Sequence, residues 1–84
     1  MTAYLLYILE CAGGTLYTGI TTDLDNRLAA HRNGTGSRYV RAHLPIKVIY
    51  TEKFPDRSEA SKRELQIKSW SRSEKISKLG LKVR

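Results

Sequence analysis

The stretch that decides the fold is Tyr4–Cys11, YLLYILEC, then Ala12-Gly13-Gly14, then Thr15–Thr21, TLYTGIT. The first run is almost continuously apolar and rich in aromatic and branched side chains, as a buried central strand requires. Ala12-Gly13-Gly14 is a turn signal. The second run alternates, with Leu16, Thr18 and Ile20 on one face and Tyr17, Gly19 and Thr21 on the other. The two runs predict a hairpin. A three-residue loop with Gly14 in the left-handed conformation sets Cys11 opposite Thr15, Leu9 opposite Tyr17 and Tyr7 opposite Gly19. In that register both tyrosines lie on one side of the sheet as diagonal neighbours, whereas a two-residue loop slips the register by one and parts them.

Beyond the hairpin, Thr22 is placed to N-cap a helix from about Asp23 to Asn33, with Asp23 and Asp25 at its positive end and Gly34 as a left-handed stop. Residues 35–44 read as a basic loop or short helix. Ile46–Phe54 is a third strand, entered through Pro45. Asp56-Arg57-Ser58-Glu59 is a capping-box-like start for a helix to about Trp70, and Ser71-Arg72-Ser73-Glu74 starts a shorter one that Gly80 ends. The order ββαβαα predicts an α+β fold, a small three-stranded antiparallel sheet flanked by helices, in one domain over residues 1–84.

Two helical stripes are interrupted by charge. Leu24, Arg27, Leu28 and His31 follow the i, i+3, i+4, i+7 pattern, so Arg27 and His31 are expected in the seam against the sheet. Ala60, Glu64 and Ile67 share a second stripe with Trp70 beside it, which puts a carboxylate on a buried face. Such a charge is costly unless paired, hydrogen-bonded or metal-bound. Each residue also has a purely structural explanation. Arg27 snorkels to water, His31 meets a carbonyl, Glu64 pairs with Arg27 across the core, and Tyr7 and Tyr17 are ordinary sheet aromatics.

The chain of 84 residues has room for one hydrophobic core, just above the size at which disulfides or metals become necessary. Cys11 is the sole cysteine, which rules out an intrachain disulfide, and with only His31 and His43 beside it a structural zinc site is not expected. The longest apolar run ends at Glu10, far short of a membrane span, and neither a basic region before it nor a cleavage site after it suggests a signal peptide. A cytoplasmic location and no membrane role are expected. The net charge is +7 with a pI of about 9.9, which points to a nucleic-acid partner. It is also uneven. Residues 1–56 hold six basic and five acidic side chains, residues 57–84 nine and three, and no acid falls between Arg27 and Thr51. That field attracts polyphosphate by steering and counterion release.

With these residues in view, the chain resembles the GIY-YIG nuclease superfamily, in particular its small stand-alone members. Leu5-Leu6-Tyr7 stands where the first signature lies and Tyr17-Thr18-Gly19 where the second lies. Arg27 follows Tyr17 by ten residues, His31 completes an Arg-Leu-x-x-His segment, and Glu64 falls where the family carries its metal-binding glutamate. The similarity covers nearly the whole chain. It departs from the family pattern at Leu5 and Thr18, at Ile20 where some members have lysine, and in having no clear equivalent, among residues 71–84, of a helical asparagine that many nucleases carry.

The resemblance implies a site of Tyr7, Tyr17, Arg27, His31 and Glu64 that hydrolyses phosphodiester bonds, in DNA rather than RNA, with one divalent cation, Mg or Mn, on Glu64. Arg27 would fork onto a phosphate oxygen, Tyr17 would orient or deprotonate the water with Tyr7 in support, and His31 would relay a proton or hold phosphate. Arg32, Arg38 and Arg41 are expected to contact backbone phosphates, and Tyr39 to stack on a base. Family nucleases often borrow specificity from a second domain, so weak sequence preference is expected, with recognition by nucleic-acid structure or through a partner protein. The competing expectation is a non-catalytic nucleic-acid-binding module on the same fold.

Overall fold

A strand with no polar face belongs in the middle of its sheet, and β1 (Tyr4–Cys11) lies there. The computed structural model describes residues 3–44 and 46–83, the side chain of Tyr39 excepted; the expected lead into β3 through Pro45 falls outside them. β2 (Leu16–Thr21) and β3 (Ile46–Phe54) flank β1 in the antiparallel order β2-β1-β3. The hairpin register is the expected one, with Leu9 opposite Tyr17 and Tyr7 opposite Gly19. The Cys11 amide donates to the Thr15 carbonyl at 2.8 Å, and both Gly13 and Gly14 take positive φ, +83° and +81°, so the turn requires glycine twice.

The β1–β3 ladder contains a bulge. Ile8 faces Tyr50 while Leu9 faces Val48, so Ile49 is an extra residue. It changes the parity of β3. Ile46 and Val48 pack with Tyr7, Leu9 and Cys11 on one face of the sheet, while Tyr50 and Phe54 pack with Leu6 and Ile8 on the other.

Among the described residues, four α-helices cover the two faces. α1 (Leu24–Arg32) and the short α2 (Arg38–Ala42) supply Leu24, Leu28 and the fully buried Val40 to the Tyr7 face. α3 (Arg57–Lys68) and α4 (Arg72–Leu79) supply Ile67, Ile76 and Leu79 to the Leu6 face, with Trp70 between them. After α4 the chain turns through left-handed Gly80, and Leu81, 8% exposed, and Val83 join that core.

Two boundaries differ from expectation. Asp23, not Thr22, caps α1: its carboxylate accepts from the Asn26 amide at 3.0 Å, while the Thr21 hydroxyl takes the Asp23 amide at 3.1 Å and so sets the cap one residue later. α3 ends at Lys68 rather than Trp70, because the Ser69 hydroxyl takes the Gln66 carbonyl and the chain turns to seat Trp70 against the core. Asp56 and Ser71 cap α3 and α4 as expected, the latter with a complete capping box through Glu74.

Candidate active site

The site is built on the absence of a side chain. Tyr7, 2% exposed, sits directly across from Gly19, and its ring passes so close that a Cβ on Gly19 would lie 2.5 Å from the hydroxyl. The hydroxyl reaches His31 Nε2 at 3.0 Å. Gly36 leaves room from the other side, since a Cβ there would lie 2.5 Å from His31 Nδ1. Tyr17, half-buried, closes the group: its ring centroid is 6.4 Å from that of Tyr7 and 5.6 Å edge-on from His31.

Burial and charge set the protonation states. Burial pushes the Tyr7 phenol well above the ordinary tyrosine range; Tyr17 adds to the rise, the Arg27 charge opposes it without overcoming it, and the charge of Glu64 adds a smaller rise. Burial, then Arg27, lowers the pKa of His31. Both groups are therefore neutral near pH 7, and the hydrogen bond joins a phenol to an imidazole. Among the described residues, the buried His31 Nδ1 has no hydrogen-bond partner. Its ring nitrogens thus share a single bond, to Tyr7, and nothing else fixes the tautomer.

Arg27 corrects the expectation that it lies in the buried seam. It is exposed, because it stands about 60° round the helix from Leu24, at the flank of the stripe rather than within it. Its charge nevertheless reaches both Tyr7 and His31. The structural pairing of Arg27 with Glu64 does not occur among the described residues. Glu64, its side chain 20% exposed, instead bridges to Lys68 at 3.2 Å, one helical turn on. His31 likewise meets a tyrosine, not a carbonyl.

A single carboxylate is a limited donor set. Among the described residues no three His, Cys, Asp or Glu side chains come together as a metal site. Glu64 therefore fits a hard cation that keeps most of its shell as water and phosphate oxygens, as Mg²⁺ does, and does not fit a two-metal arrangement.

Arg32, Arg38 and Arg41 are all exposed in the layer of α1 and α2, the same side of the sheet as Tyr7, and the Arg41 stem crosses Gly34. The side chain of Tyr39, expected to stack on a base, lies outside the described residues. Sequence reasoning missed Gly36 and Lys68. Lys68 was legible as the i+4 partner of Glu64. Nothing in the sequence marked Gly36, whose role depends on a contact five residues from His31 across the end of α1.

A three-stranded antiparallel sheet in the order β2-β1-β3 with helices on both faces is the fold of the GIY-YIG class. The GIY-YIG catalytic domain matches residues 3–77, and the chain belongs to that family, a nuclease superfamily. Among its relatives are small proteins grouped as UPF0213. One from Cupriavidus pinatubonensis is 48% identical over 73 residues, 87% of this chain and 81% of that protein. Two solution structures are similar to this one. A protein of E. faecalis matches with TM-score 0.69 and 39% identity, over 95% of this chain and 85% of its own. The UPF0213 protein BH0048 of Bacillus halodurans matches with TM-score 0.61 and 38% identity, over 93% and 83%.

Proposed function

We propose that this protein is a divalent-metal-dependent nuclease that hydrolyses phosphodiester bonds in DNA, structure-selectively or without sequence preference, using Tyr7, Tyr17, Arg27, His31 and Glu64. The observation that carries the proposal is the buried Tyr7–His31 hydrogen bond packed against Tyr17. A neutral phenol–imidazole pair beneath a half-exposed second phenol is an arrangement for moving a proton, and the hydrophobic core has no need of it.

The chain's own residues divide the work. Tyr17, the more exposed phenol, orients the attacking water. Tyr7 gives its hydroxyl proton to His31 Nε2 as its oxygen takes one from that region, so the phenol ends the step protonated; the imidazole, held neutral by burial and Arg27, has the lone pair to receive it. Arg27 forks onto a non-bridging oxygen and holds the charge that grows there in the transition state. Glu64 would hold the cation in place of its bridge to Lys68. That cation, when bound, supplies Lewis-acid stabilisation to phosphate and leaving oxygen. Arg32, Arg38 and Arg41 hold the flanking backbone, and selectivity comes from substrate shape or a protein partner.

The test is cleavage of branched, nicked and single-stranded DNA with Mg²⁺ or Mn²⁺. Glu64→Ala and Arg27→Ala should each lower the rate about 100-fold or more. Cleavage that survives both substitutions, or survives EDTA, rejects this mechanism. Salt-dependent binding with no cleavage by the unaltered chain would establish the non-catalytic module in its place.

A further inference from the structure

Where β1 begins and β2 ends, the sheet opens into a cleft of ≈ 230 Å³ lined by Tyr4, Ile20, Thr21, Thr22, Arg27 and Arg57. Its polar lining is two guanidiniums and three hydroxyls, with no carboxylate. The Thr21 hydroxyl is engaged with the backbone of Asp23, which leaves the arginines as the strong polar groups. Neither guanidinium has a carboxylate partner among the described residues; the neighbouring acids Asp23 and Asp56 are occupied in capping α1 and α3. Two like charges lining one cleft repel each other, and an anion entering between them removes the imbalance. The planar fork of arginine matches phosphate in particular.

We propose that this cleft continues the phosphate track beyond the bond to be broken, with Arg57 seating a neighbouring backbone phosphate of the nucleic-acid strand and Arg27 forming the wall shared with the catalytic group. The proposal rests on the nucleic-acid reading above and adds a ligand, Arg57, that the catalytic group does not include. Arg27 is the wall between the two places: its charge reaches Tyr7 and His31 on one side, and its side chain lines the cleft on the other. Helix geometry gives the spacing. Arg57, Ala60, Glu64 and Ile67 share one stripe of α3, with Ala60 and Ile67 buried against the sheet. Seven residues of helix place Arg57 about 10 Å from Glu64 along the axis. A strand held at Glu64 therefore reaches the Arg57 cleft within a few nucleotides.

Binding of labelled oligonucleotides in EDTA, across a salt series, tests the subsite without cleavage. Arg57→Gln should reduce the slope of log K against log salt by about 0.7–0.9, the value of one neutralised phosphate. Lys62→Gln, an equal loss of charge at an exposed site on the same helix, should leave it unchanged, and Arg57→Lys should restore most of it. Oligonucleotides with and without a terminal phosphate should respond alike, because a backbone phosphate is the ligand; an effect confined to the phosphorylated ends overturns the proposal. So does an Arg57→Gln slope equal to that of the unaltered chain, even where inorganic phosphate shifts the Thr21 and Thr22 amide resonances. Slope loss in a chain that never cleaves rejects the nuclease and keeps the subsite, and cleavage with an unchanged slope does the reverse.

Discussion

At the scale of single residues, the site depends on two positions where a methyl group cannot fit. Gly36 has a backbone conformation open to any residue, so Gly36→Ala tests the contact with His31 alone. Displacing that ring should cost about 1–3 kcal/mol of stability in urea titrations and lower cleavage more than tenfold, with no change in binding at EDTA. His31 also makes stability depend on pH. Its folded pKa lies below the ordinary 6.5, so between the two values the unfolded chain binds more protons than the folded one. The stability it contributes is present above about pH 6.5 and is lost as pH falls through the folded value. Urea midpoints compared at pH 7 and pH 5 should show a larger drop for the unaltered chain than for His31→Gln. Tyr7, Tyr17 and His31 were legible from sheet parity and helical spacing. Arg27 was legible as a residue but misplaced, because the stripe rule does not distinguish the centre of a face from its flank.

At the scale of elements, the hairpin could be deduced because glycine chemistry fixes the loop and the loop fixes the register. The bulge at Ile49 could not, since Ile46–Phe54 reads as an unbroken strand and the extra residue is visible only against β1. It has a large effect. By bringing Glu52 to the α3 side, it allows a bidentate bridge with Arg63, Nε to Oε1 and Nη2 to Oε2 both at 3.0 Å, with the Tyr50 hydroxyl donating to the same carboxylate. Burial works against the Glu52 charge, yet Arg63 and Tyr50 hold its carboxyl below the usual range. Arg63 in turn lies 5.4 Å from the Trp70 ring centroid, which Lys78 also approaches. This cluster links residues eleven apart through tertiary packing, and no periodicity announces it. Glu52→Ala should destabilise the fold by roughly 1–3 kcal/mol, read by urea denaturation, and Glu52→Ala with Arg63→Met should recover part of that loss.

At the scale of the whole molecule, the exposed Arg32, Arg38 and Arg41 lie on the same side of the sheet as Tyr7, Tyr17 and His31, whereas Glu64 stands on α3, which packs on the other face. Arg32→Gln, Arg38→Gln and Arg41→Gln together should weaken oligonucleotide binding on all sequences alike and flatten its salt dependence, by about 0.7–0.9 in slope for each phosphate no longer neutralised. A salt slope that does not move would show that the strand runs elsewhere. No helix among the described residues is long and apolar enough to cross a membrane.

The last turn of the chain sets a limit on how the domain can be trimmed. The family match closes at residue 77, yet Leu81 and Val83 pack into the core that α3, α4 and the sheet share, and the Leu81 amide donates to the Ile76 carbonyl at 3.0 Å. Cutting at the conventional boundary exposes that apolar wall to water. A protein shortened to residue 79 should melt earlier, having given up about 1.5–3 kcal/mol from Leu81 alone. A passenger joined after α4, whether a reporter or a specificity module, therefore has to follow Val83 for that core to stay whole.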